Sequence, residues 1–117
     1  MKIDINDYCK CVNARKEYFR IKRIYDSFLK EAGITSSQLS LLVEFGNKDN
    51  NSFIKIGDKL GVDRTTVVRN VKTLLKNGWI EKVSPVKHGN LYYKLTDSGC
   101  RVIEKSLPLW EDAQGAL

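Results

Sequence analysis

Apolar residues recur at alternating steps of three and four over the first part of the chain: Cys11, Ala14, Tyr18, Ile21, Tyr25 and Phe28. That spacing predicts one long helix over residues 6–31, ended by Gly33. Tyr8, Val12 and Phe19 form a smaller apolar set on another side, so the helix has a second face left for a partner. Thr35 followed by Gln38 is a capping-box pair, and it opens a second helix through Leu39, Leu41, Leu42, Val43 and Phe45 to a stop at Gly46. After the loop "GNKDNNS", Ser52 caps a short third helix, Phe53 to Leu60, in which Gly57 allows another helix to approach closely. Gly61 suits a tight turn, Val62 can plug the core, and Asp63 caps a fourth helix that runs through Lys76 to the stop at Asn77-Gly78. Two helices joined by so short a turn, the second with one apolar and one polar face, form a helix-turn-helix pattern.

The pattern then changes period. "WIEKV" and "LYYKL" are short, extended and rich in β-branched and aromatic residues, and Pro85 and Gly89 punctuate the "SPVKHGN" between them. A hairpin with a basic tip, a wing, is the natural reading. Thr96 caps a last helix carrying Val102, Ile103, Leu107, Trp110 and Ala113, which Pro108 should interrupt and kink. The fold class is therefore mainly α with a small β-hairpin, a winged helix-turn-helix.

Composition narrows the picture. A length of 117 residues fits one domain, and no apolar run approaches the roughly 18 residues that would span a bilayer. The opening "MKIDINDYCK" lacks the apolar stretch of a secretory signal, so the expected setting is the cytoplasm, with the three cysteines as thiols. The net charge of +6 is uneven: residues 53–101 hold ten Lys/Arg against four Asp/Glu, and residues 102–117 hold one against three. A basic cluster of this kind points to a polyanion as partner, with a solvated basic face as the alternative.

The fourth helix supplies candidate contacts. Thr65, Val68, Arg69 and Lys72 share a stripe about opposite the apolar Val67, Val71 and Leu74, and that stripe fits a major groove in which side chains reach base edges. Arg64 and Thr66 sit in the first turn, where they can meet phosphate or bases, and Lys87 and His88 at the wing tip can reach the backbone. The competing class is a winged-helix module that contacts protein. Cys9, Cys11, Cys100 and His88 contain the residue types of a zinc site, but helical positions i and i+2 point about 200° apart, so Cys9 and Cys11 do not readily share an ion. With one histidine, no nucleophile elbow and no phosphate-cradling glycine loop, no enzyme, cofactor or metal is expected.

The run from "SQLSLL" through "IKIGDKLGVDRTTVVRNVKTLLKNGWIEKV" to "YYKLTDSGCRVIEKSLPLWEDAQ" resembles the MarR family of transcription regulators. The resemblance implies one domain over residues 1–117, with residues 6–31 and 96–117 as dimerisation helices and residues 35–95 as the DNA-binding part. It also implies a homodimer on double-stranded DNA, associated with the nucleoid and repressing genes until a small aromatic effector or an oxidant intervenes. Tyr18, Tyr25 and Trp110 are candidates for lining an effector crevice. Cys11 matches in position the sensing cysteine of the organic-hydroperoxide branch, and Tyr25 matches one of its tyrosine partners, but Arg15 stands where the other is found. The periodicity itself places Cys11 on the core stripe, where a thiol behaves as a small hydrophobe. The wing lacks the acidic residue and arginine frequent in the family. The last helix also stops short of the usual length, which implies a smaller dimer interface or a shortened chain.

Overall fold

Each helix after the first begins where a side chain takes up a free backbone N–H. Thr35 Oγ1 accepts from the Gln38 N–H at 3.2 Å while Gln38 Oε1 accepts from the Thr35 N–H at 3.0 Å, completing the capping box. Ser52, Asp63 and Thr96 accept from the N–H three residues on at 3.4, 2.8 and 3.0 Å. The computed structural model describes residues 1–47, 52–83 and 92–117. In it α1 (Lys10–Leu29) is followed by α2 (Ser36–Gly46), α3 (Phe53–Leu60), α4 (Arg64–Lys76), strands β1 (Ile80–Val83) and β2 (Tyr92–Leu95), and α5 (Asp97–Gly115). The strands pair antiparallel with Ile80 opposite Leu95 and Val83 opposite Tyr92. This is the winged helix-turn-helix architecture anticipated from the residues, and among the described residues no helix is long and apolar enough to cross a membrane. The expected wing tip, with Pro85, Lys87, His88 and Gly89, lies outside the described residues, as does most of the loop after α2.

The core is built where α2, α3 and α4 meet β1, α5 and the end of α1. Leu29, Leu42, Ile56, Val67 and Leu74 are sealed from solvent, with Leu39, Leu41, Phe45, Val71 and Ile80 beside them. Each large aliphatic side chain removed from water in this way stabilises the fold by roughly 1.5–3 kcal/mol. Tyr93 of β2 ties the hairpin to this body, with ring centroids 5.7 Å from Phe45 and 5.8 Å from Phe53.

The first helix departs from its expected form. It starts at Lys10 rather than residue 6: Ile5–Asp7 form a separate 3-10 turn, and Cys9 is extended with no side chain capping the helix start. A second 3-10 turn, Lys30–Ala32, follows it and closes on Gly33. The predicted core stripe is core over its last turns alone. Ile21, Tyr25 and Phe28 are half-buried and Leu29 is fully buried, whereas Cys11, Ala14 and Tyr18 are exposed. The molecule measures 60 × 32 × 21 Å, and α1 packs chiefly along α5, so its first turns reach past the body that would cover them.

Three smaller expectations also change. Val62 does not plug the core; it is 37% exposed, because the turn carries it to the surface. The close approach at Gly57 is made mainly by the turn itself: a Cβ there would stand 2.6 Å from the Val62 carbonyl oxygen, with a Val67 methyl of α4 behind it at 3.6 Å. Pro108 does not interrupt the last helix, which continues through it to Gly115. Packing along α1 holds α5 through the one backbone donor that proline removes.

The hairpin and α5 are joined by a clasp. Thr96 donates its hydroxyl to the Gly78 carbonyl and its backbone N–H to the Trp79 carbonyl, the latter at 3.0 Å. Gly99 lies so close beneath that a Cβ would overlap the Trp79 carbonyl oxygen, so the chain crossing excludes any side chain there.

Candidate nucleic-acid interface and adjoining crevice

The outward face of α4 follows from which of its residues are buried. Val67, Val71 and Leu74 point into the core, so the stripe about opposite them faces solvent. Thr65, Arg69 and Lys72 are exposed there, with Val68 half-buried among them. Four of the predicted contacts therefore share one surface, and Arg64 stands exposed beside it in the first turn. Hydrogen bonds from the Thr66 side chain and backbone hold the Asp63 carboxyl below the ordinary carboxylate range, and the Arg69 charge acts in the same direction. Asp63 thus fixes the helix start as an anion while the basic groups project beside it. At the base of the hairpin Lys82 and Lys94 are exposed, Lys94 with Glu81 at 3.3 Å. An exposed pair of this kind contributes little to stability.

Thr66 belongs elsewhere. It was expected to face DNA from the first turn of α4, yet it is half-buried on the helix's inner side and lines a crevice of about 640 Å³. One step along a helix rotates a side chain by about 100°, which moves Thr66 away from Thr65 towards α2. Asn70, one turn on, lines the same wall. Opposite stand Tyr18, Ile21, Lys22 and Tyr25 of α1 and Leu107 and Trp110 of α5, so the three proposed aromatic liners do meet in one cavity. Ser36, Ser37, Ser40 and Glu44 of α2 form the floor. Glu44 is 4% exposed and has Lys59 of α3 at 3.0 Å. The inner face of the reading helix is thereby one wall of the crevice.

Sequence reasoning missed Glu44, Asn70, Lys22 and the serines. The available signals were an acid inside the apolar run "LSLLVEF" and a polar residue four positions after Thr66.

Comparison with known proteins adds an independent line. The family model for the MarR family matches residues 34–87, which take in α2, α3, α4 and β1. Over that segment, a little under half of its length, the chain is similar to the MarR family. MarR-family proteins are DNA-binding transcriptional regulators rather than enzymes. The solved MosR regulator of M. tuberculosis in complex with DNA is 25% identical, with a TM-score of 0.79 over 92% of this chain and 79% of that one. A mutant E. coli MarR complexed with operator DNA is 19% identical, with a TM-score of 0.76 over 97% and 83%. The PcaV regulator of Streptomyces coelicolor, solved with its natural ligand, is 21% identical, with a TM-score of 0.77 over 99% and 82%. At 19% and 21% identity the last two likenesses establish the MarR-type fold. No curated protein matches the chain.

Cys9, Cys11 and Cys100 are free thiols. Cys11 was expected to be buried beside Ala14 and Tyr18; instead all three are exposed, because nothing in a single chain covers that part of α1.

Proposed function

We propose that the chain is a homodimeric, sequence-specific regulator of double-stranded DNA in the cytoplasm, and a repressor whose hold on DNA is relieved by a small aromatic effector. Residues 35–95 form the DNA-binding part, and α1 and α5 form the dimer. The observation that carries this reading is the outer stripe of α4, where Thr65, Arg69 and Lys72 project together beside Arg64 of the first turn, opposite the core residues Val67, Val71 and Leu74. A rigidly backed helix of that kind can enter a major groove while Lys87 and His88 of the wing reach the adjoining backbone. Dimerisation is supported by the apolar residues left exposed on the two long helices and the segment before them, Ile5, Tyr8, Tyr18, Phe19, Leu107 and Trp110. Two heads then read a near-palindromic site with half-sites about one helical turn apart.

Effector control is supported by the position of the crevice behind α4. A molecule seated among Tyr18, Tyr25 and Trp110 touches the helix that reads DNA through Thr66 and Asn70, so occupancy and helix orientation are linked. A mobility-shift assay on mixed genomic fragments across a salt series tests the core of the reading. Binding through phosphate neutralisation weakens steeply as salt rises. No shift at low salt would favour a protein-interaction module.

The exposure of Cys11 favours a second reading, a thiol-based oxidant sensor. Its test is DNA affinity with and without stoichiometric organic hydroperoxide, for wild type and Cys11→Ser. Loss of binding in the wild type alone, reversed by a thiol reductant, establishes it; unchanged binding removes it.

A further inference from the structure

We propose that the crevice selects an uncharged planar aromatic molecule bearing a hydrogen-bonding group, such as an aryl amide, and rejects aromatic carboxylates. This rests on reading the crevice as the effector site. Among its described lining residues, Lys22 and Glu44 are the charged ones, and both already stand in an ion pair with a residue outside the lining, Asp26 and Lys59 respectively. Lys22 Nζ lies 2.7 Å from Asp26 Oδ2, and Asp26 Oδ1 accepts from the Ser36 N–H at 2.7 Å. Asp26 is thus held between α1 and the first turn of α2. Burial alone would raise its carboxyl, but the Lys22 and Ser36 contacts outweigh that and keep it below its ordinary value. An aromatic carboxylate could reach Lys22 only by competing with an anion already fixed on two sides.

The α2 wall deepens the selection against anions. Glu44 brings a second, nearly inaccessible carboxylate to the cavity, with its positive partner Lys59 standing on the solvent side. An anionic guest finds no uncommitted cation in the lining and a carboxylate on the α2 side, and a cationic guest must compete with Lys59 for Glu44. The other polar groups are neutral: the Thr66 hydroxyl, the Asn70 amide and the Ser40 hydroxyl. Ser40 already donates to the Ser37 carbonyl at 3.1 Å, which leaves its oxygen to accept. A neutral donor-acceptor group on a flat ring satisfies these partners while the aromatic rim covers the ring faces.

Equilibrium dialysis of the full chain against 2-naphthamide, 2-naphthoate and 2-naphthamidinium, which share one ring system, separates the cases. The amide should bind about tenfold or more tightly than either ion. Asp26→Asn keeps an acceptor for the Ser36 N–H but frees Lys22, and should raise naphthoate affinity by about tenfold with DNA binding retained. Naphthoate or naphthamidinium binding as tightly as the amide, or a naphthoate affinity unmoved in Asp26→Asn, overturns the charge selection and leaves the crevice as a binding site. No binding by any of the three, with DNA binding intact, overturns the crevice as the effector site as well.

Discussion

The two ends of the molecule solve the burial problem differently. Around α2, α3, α4 and the hairpin, large apolar side chains such as Leu42, Ile56 and Leu74 are sealed within the chain itself. Along the first half of α1 and the second half of α5 the same residue types stand in water: Tyr18 is 53% exposed, Phe19 44% and Leu107 45%. The reading head therefore holds its own shape, whereas the long helices present surface that a single copy leaves uncovered. In the proposed dimer, a rigid head on incomplete supports would make the spacing of the two heads, rather than the shape of either, the adjustable quantity.

The sharpest way to break this contrast is to truncate one residue in each region. Leu74→Ala should destabilise the fold by about 2–5 kcal/mol because the cavity lies in closed packing. Tyr18→Ala should leave monomer unfolding nearly unchanged and weaken self-association instead. Chemical denaturation and sedimentation on both variants check this, and a Tyr18→Ala chain that loses as much folding stability as Leu74→Ala would erase the distinction. Gly99→Ala comes next, with a loss of about 1–3 kcal/mol from the overlap with the Trp79 carbonyl, read from the thermal midpoint.

Within the head, Arg69→Ala should cost about 1–3 kcal/mol at one base position, whereas Lys87→Ala should weaken all sequences alike and lower the salt slope by about one. Competition binding on a randomised DNA pool separates the two, and uniform weakening by Arg69→Ala would reassign it to the backbone. The smallest effect concerns acid. Asp26 ionises more readily in the fold than its ordinary value of 3.8, so its stabilisation is present above about pH 3.8 and is lost as pH falls through the lower folded value. Asp26→Asn should flatten that part of the stability profile by lowering the neutral plateau, with little change below the folded value, as read from denaturation midpoints across pH.

The helix starts were legible in the sequence because a cap is a local bargain. Thr35, Ser52, Asp63 and Thr96 each need a backbone N–H three residues away, and no distant element decides the matter. The exposed stripe of α4 was legible for a similar reason, since 100° steps from Val67 and Val71 fix where Arg69 and Lys72 must lie. Thr66 was not, because the same rotation says that it leaves the reading stripe but not that a cavity waits on the other side. Cys11 and Tyr18 failed differently: periodicity tells which residues share a face, while how far α5 extends to cover that face is a tertiary fact. Glu44 was hidden inside an apolar run because its justification, Lys59, comes from another helix.

The Thr96 clasp has a mechanical consequence. Two hydrogen bonds and a crossing too tight for a methyl group weld the base of the wing to the root of α5, so the two turn as one piece. Torque applied along α5 then swings the wing as part of the same lever and leaves the hairpin unbent. On α4 the corresponding weld is incomplete, since Thr66 and Asn70 border the crevice while Val71 and Leu74 are locked in the core.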